Sequence, residues 1–153
     1  MSAVSGADAR HVVTETRVIA APREVLFDLV ADPAMHPRID GSGTVRAQAS
    51  DGPSRLGPGV RFGMSMRMGL PYRISNRVVE FEEGSRVAWM HMSRAVWRWE
   101  FRDVEGGTEV RESFDWSAAR SRTIMRRFAR GNAVSMRRSL ERLEPLAQER
   151  AND

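Results

Sequence analysis

Residues Trp97–Trp116 read "WRWEFRDVEGGTEVRESFDW". In the first half Trp97, Trp99 and Phe101 alternate with Arg98, Glu100 and Arg102. In the second half Val110, Glu112, Phe114 and Trp116 alternate with Glu109, Arg111, Ser113 and Asp115. A period of two sends successive side chains to opposite faces, so each half reads as a strand with one apolar face. "EGGT" between them is a hairpin signal, because glycine supplies the backbone angles a tight turn needs. Strands joined by short turns pair antiparallel.

The same period extends upstream. "RVAWMHM", Arg86–Met92, sets Val87, Trp89 and His91 against Ala88, Met90 and Met92. Tyr72–Glu82 is a further strand between turns at "GLP" and "EEGS". Val60, Phe62, Met64, Met66 and Met68 share a face opposite Arg61, Ser65 and Arg67. Loops "DGSGT" and "SDGPSRLGPG" bracket a short strand at Val45–Ala49. His11–Ala20 is predicted as the first strand. Pro22 opens a helix with the apolar stripe Val25, Leu26, Leu29 and Val30, and Asp32-Pro33 ends it. Pro37 limits the next element to a short turn. Ser121–Glu149 is a long helix, with Ile124, Met125, Phe128, Met136, Leu140 and Leu143 forming its apolar stripe. A bulge within Tyr72–Glu82 would switch the facing of every later residue of that strand.

With 153 residues, 41% hydrophobic and 29% charged, the chain fits one ordinary globular domain over residues 11–149, behind a loose tail at residues 1–10. No apolar run is long enough to span a membrane, and the N-terminus has no signal-peptide core, so cytoplasm is the default. Cysteine is absent, which excludes disulfides and thiolate chemistry. All 24 basic residues are arginine, so Schiff-base catalysis on lysine is excluded too. Residues 117–153 hold nine Arg against four acids, and the rest of the chain is nearly balanced.

Four segments, "VIAAPREVLFDLVADPAMHPRID", "RVVEFEEGSRVAW", the Trp97–Trp116 hairpin and "MRRSLERLEPL", occur in an order that resembles the START/Bet v 1-like (SRPBCC) superfamily. That superfamily includes bacterial polyketide cyclase/dehydrase-like proteins. The resemblance covers Val12 to Leu146. It implies an α+β helix-grip fold: a curved antiparallel sheet of about seven strands around the C-terminal helix, two short helices after strand 1, and a cavity between sheet and helix. It further implies polyketide-like or lipid-like ligands.

The methionines point the same way. A tightly packed strand favours branched side chains, whereas methionine adapts to irregular space and varied ligands. Met64, Met66 and Met68 are expected to line the cavity with Asn76, Trp89, Trp97, Trp99, Phe114, Trp116, Phe128 and Met136. Simple core filling is the alternative.

Glu112 and His91 are polar residues at inward positions and could act together as an acid/base pair on a carbonyl. The plainer readings are that Glu112 pairs with an arginine at a sheet edge and that His91 is half exposed at a strand end. His36 is read by default as part of a surface turn, with a place at the cavity mouth as the alternative. No HExxH-type spacing, phosphate loop or dinucleotide motif is present, so no metal or cofactor is expected.

The expected partner is a hydrophobic small molecule, and a homodimer stays open. A solvated face is the default for the helix arginines. RNA binding is the minor reading, and a membrane-surface role is weaker still because the sheet needs the apolar stripe.

Overall fold

The computed structural model describes residues 11–49 and 51–153; the expected tail lies outside them. Strand β1 (Val12–Ile19) leads into helix α1 (Arg23–Ala31), a single 3-10 turn (Pro33–Met35) and helix α2 (His36–Ile39). Then come β2 (Val45–Gln48), β3 (Arg61–Met68), β4 (Leu70–Glu82), β5 (Arg86–His91), β6 (Val96–Val104) and β7 (Gly107–Asp115). Helix α3 (Arg122–Ala151) closes the chain. The strands form one antiparallel sheet in the order β1-β7-β6-β5-β4-β3-β2, curled into a half-barrel. This is the helix-grip architecture expected from the sequence.

Helix α1 seals one end of the half-barrel. Of its predicted stripe, Leu26, Leu29 and Val30 are buried and Val25 is half-buried. Phe27 is fully buried as well, with its ring edge-on to Phe81 and Phe101 at 5.7 and 5.5 Å. The helix stops where Asp32 Oδ1 accepts the Ala34 N–H at 3.0 Å, redirecting the backbone into the 3-10 turn.

The bulge considered for the fourth strand exists. Val78 pairs with Trp89 but Glu80 pairs with Ala88, leaving Val79 as the extra residue. Uninterrupted alternation from Ile74 through Asn76 and Val78 would aim Glu80 into the core. With the bulge, Glu80 meets Arg98, whose Nε lies 3.0 Å from Oε2, and Phe81 turns inward.

Two glycines mark close approaches. A Cβ on Gly107 (φ 143°) would lie 2.1 Å from the Ile19 carbonyl oxygen, where β7 begins beside the end of β1. A Cβ on Gly41 would lie 2.2 Å from the Ser135 carbonyl oxygen, so only glycine lets the loop after α2 touch α3. There the Gly41 N–H donates to Ser139 Oγ at 2.9 Å. Arg38 adds an ion pair to Glu149 at 2.7 Å.

Helix α3 departs from the expected uniform stripe. Met136, Leu140, Leu143 and Leu146 are buried, but Ile124 and Phe128 are 54% and 42% exposed. The sheet leaves one side of the first half of the helix uncovered, so Ile124 and Phe128 stay exposed while Met125 and Ala129 pack with Phe114 and Trp116.

Candidate ligand cavity

Sheet curvature leaves a cavity of about 610 Å³ between the concave face and the first half of α3. Register orders its walls. Trp89, Trp97 and Phe114 stand side by side on β5, β6 and β7, with the Trp97 and Phe114 rings 4.6 Å apart. One row toward the α1 end, Trp99 stands beside Glu112, and Glu112 beside Glu15 of β1. One row the other way, Asn76 faces His91. On β3 the three methionines step outward: Met64 is buried, Met66 half-buried and Met68 exposed at the rim. Phe128 and Met136 close the helix side.

All the residues expected at the cavity border it except Trp116. Trp116 lies beyond the last residue of β7, where strand alternation no longer sets side-chain direction. It packs behind Phe114 at 5.9 Å and edge-on to His11 at 5.9 Å, with a buried Nε1 that finds no acceptor among the described residues.

Glu112 is only 4% exposed, and its Oε2 is buried without a donor. The expected arginine partner is missing among the described residues. The nearby Arg137 lies instead 3.7 Å from Glu15. Loss of hydration pushes the Glu112 carboxyl well above the usual carboxylate range, and the charges of Asp40 and Glu15 push it further. A neutral acid of this kind donates a hydrogen bond rather than only accepting one.

His91 Nδ1 accepts the Ser93 N–H at 3.0 Å, which leaves the ring proton on Nε2. Burial lowers its pKa, so the ring is neutral near pH 7. Glu112 and His91 do not form a pair. They stand two strands and four residues apart, about 16 Å along a flat sheet at usual strand spacings, too far to share one carbonyl. Asn76, also buried, borders the cavity as well.

His36 overturns its surface reading. Its ring stacks on Trp89 at 5.0 Å and meets Phe62 edge-on at 5.7 Å. Nε2 donates to the Val30 carbonyl at 2.7 Å, leaving Nδ1 as the free acceptor, and burial lowers the pKa. Helix α2 is four residues long, too short for periodicity to reveal which side faces in. Asn132 and Ser135 of α3 also border the cavity but are hidden, in sequence, among the arginines of the polar face. Among the described residues no three His, Asp or Glu side chains gather as metal ligands would.

A curled antiparallel sheet gripping a long helix over an apolar chamber defines a helix-grip protein. The chain belongs to the polyketide cyclase / dehydrase and lipid transport family, whose sequence model matches residues 10–148. It is 38% identical over 139 residues to the uncharacterized protein Rv0088 of Mycobacterium tuberculosis, a match covering 86% of this chain and 62% of that protein. The chain thus spans under two thirds of that relative's length.

Among solved structures, protein NE0264 from Nitrosomonas europaea superposes with a TM-score of 0.75 at 15% identity, covering 95% of this chain and 99% of that one. The di-domain ARO/CYC StfQ from the steffimycin biosynthetic pathway gives 0.68 at 12% identity, over 94% of this chain and 52% of its own. At these identities the likenesses show the fold.

Proposed function

We propose that the chain binds a flat, oxygenated, polyketide-like molecule in the cavity, with the neutral Glu112 carboxyl donating a hydrogen bond to it. The carrying observation is the buried, unpartnered Glu112 set in an apolar chamber of about 610 Å³, a size suited to a drug-sized ligand. Aromatic walls favour a planar molecule. Polar groups decide between the two ligand classes. A plain acyl chain would fill the space but leave Glu112 unsatisfied, at about 1–3 kcal/mol. A polyketide-like ligand carries carbonyl and hydroxyl groups that answer it and can also meet Asn76.

Fluorescence titration tests this, because Trp89, Trp97 and Trp99 border the cavity. A dihydroxyanthraquinone should quench saturably and palmitate should compete poorly. Met66→Trp should fill the space and weaken uptake. Absence of saturable quenching, or uptake unchanged in that variant, removes the reading.

A second reading is catalytic, and the observation favouring it is the buried Glu112 carboxyl, which lacks a donor on Oε2 and whose affinity for its proton is raised by burial. Glu112 would then act alone as the general acid in cyclisation or dehydration of a polyketone. In that case Glu112→Gln keeps affinity for a linear polyketone but loses its turnover. Turnover that survives the change excludes Glu112 as the acid.

A further inference from the structure

The apolar lining does not stop at the cavity mouth. In an antiparallel meander alternate turns share an end, so the β3–β4 hairpin, the β5–β6 turn and the start of α3 lie at the same end of the sheet, the hairpin reaching past the Asn76–His91 pair to Leu70. Each carries a large apolar side chain in solvent: Leu70, 79% exposed, on the hairpin, Met92 on the turn, and Ile124 and Phe128 on the helix. Met68, Tyr72, Met92 and Phe128 also border the cavity, so rim and wall are continuous. Single exposed apolar residues are ordinary, but several at the end where the cavity opens call for a partner.

Charge at this end is mostly basic. Residues 64–73, 90–97 and 117–130 hold eight arginines and no carboxylate. Among the described residues none of the eight forms an ion pair, and the carboxylates nearby are Asp115, level with Val96, and Asp40 on the cavity wall. At the opposite end the acids Glu83 and Asp103 are ion-paired with Arg55 and Arg23. Arginines without acidic partners thus gather at the mouth, which favours a negative surface there.

The geometry points to the mouth as a docking surface for an anionic lipid bilayer. Leu70, Met92 and Ile124 would enter the headgroup region while the unpaired arginines meet lipid phosphates. Reversible surface binding needs two such signals, apolar insertion and basic attraction, and both are present at one end. The rim side chains stand on three separate elements with no shared groove, and a bilayer accepts each independently. A second copy of this chain would bring two sets of unpaired arginines together. RNA would use the arginines but leave Leu70 and Ile124 in water. The objection that the sheet needs the helix stripe fails for Ile124 and Phe128, which the sheet does not cover. This docking does not depend on what fills the cavity.

Co-sedimentation of the full chain with vesicles tests it. The chain should bind phosphatidylcholine vesicles containing phosphatidylglycerol, bind phosphatidylcholine alone far less, and release as salt rises above physiological strength. Leu70→Glu/Ile124→Glu should weaken binding to the anionic vesicles about tenfold or more. Val18→Glu alters a similarly exposed residue at the far end of β1 and should bind as wild type. Urea midpoints confirm that each variant folds. If the double variant does not fold, Arg126→Gln/Arg130→Gln replaces it, and a loss of several-fold is expected. Failure to bind anionic vesicles at low salt overturns the proposal, as does wild-type binding by the rim or arginine variant. Binding of polyuridine RNA without vesicle binding overturns it in favour of a nucleic acid.

Discussion

Replacing Glu112 by Gln should make the protein more stable at neutral pH while removing part of its pH dependence. Gln keeps the shape of the neutral acid and never ionises. Glu112 Oε2 has no donor, and Glu15 and Asp40 add repulsion, so the native state holds the proton well above the ordinary pKa of 4.5. Between 4.5 and the raised native value, the folded chain binds one more proton than the unfolded chain. Stability therefore falls as pH rises across that window, by about 1.4 kcal/mol per pH unit, and is flat below it.

His36 and His91 act with the opposite sign. Their native pKa values lie below 6.5, so the unfolded chain takes up those protons first and stability is lost as pH falls below 6.5. Both histidines remain in the variant, so subtracting the two curves isolates Glu112. Urea denaturation followed by tryptophan fluorescence at about pH 4, 5, 6 and 7 should show the variant gaining on the wild type as pH rises above 4.5, by at most about 1.4 kcal/mol per pH unit. A stability difference that stays constant with pH would refute a buried neutral acid.

Phe27→Ala should cost about 3–5 kcal/mol in the same assay, because the ring is fully buried against Phe81 and Phe101; a loss below about 1 kcal/mol would contradict that packing. Gly41→Ala should cost about 1–3 kcal/mol by forcing the loop off α3 and breaking the Gly41–Ser139 hydrogen bond. Wild-type stability there would mean the loop shifts freely. His36→Phe keeps the stack on Trp89 but strands the Val30 carbonyl, so a loss of about 1–3 kcal/mol is expected. The same variant should lose less stability on acidification below pH 6.5; an unchanged acid limb would mean His36 is not held neutral.

Legibility followed the length of each periodic run. The strands bearing Trp97, Trp99, Glu112 and Phe114 alternate for nine residues each, so their facing follows from the sequence alone. His36 sits in a four-residue helix between two prolines, where no period can form, and its burial arises from Trp89 and Phe62 far along the chain. Trp116 continued an alternation whose strand had already ended. The Glu112–His91 pairing failed for a different reason: both residues do face inward, but register across two strands sets their separation, and no single strand encodes it. The α3 stripe was visible, yet which part of it the sheet covers depends on curvature, a property of all seven strands together.

Size bears on whether the chamber is an incidental packing defect. A sealed void costs about 24 cal/mol per Å³. At that rate 610 Å³ would cost about 15 kcal/mol, the whole stability of a typical domain. The space must therefore be filled by water through its mouth or by a ligand. Water is a poor occupant against Trp89, Trp97, Trp99 and Phe114, which offer it few partners. An apolar ligand with a few oxygens removes that penalty and supplies an acceptor for the Glu112 proton at the same time. Bound at a hundred times its dissociation constant, it would stabilise the fold by about 2.7 kcal/mol. The wide chamber and the unpartnered acid, each unfavourable alone, thus have a common remedy in one kind of ligand.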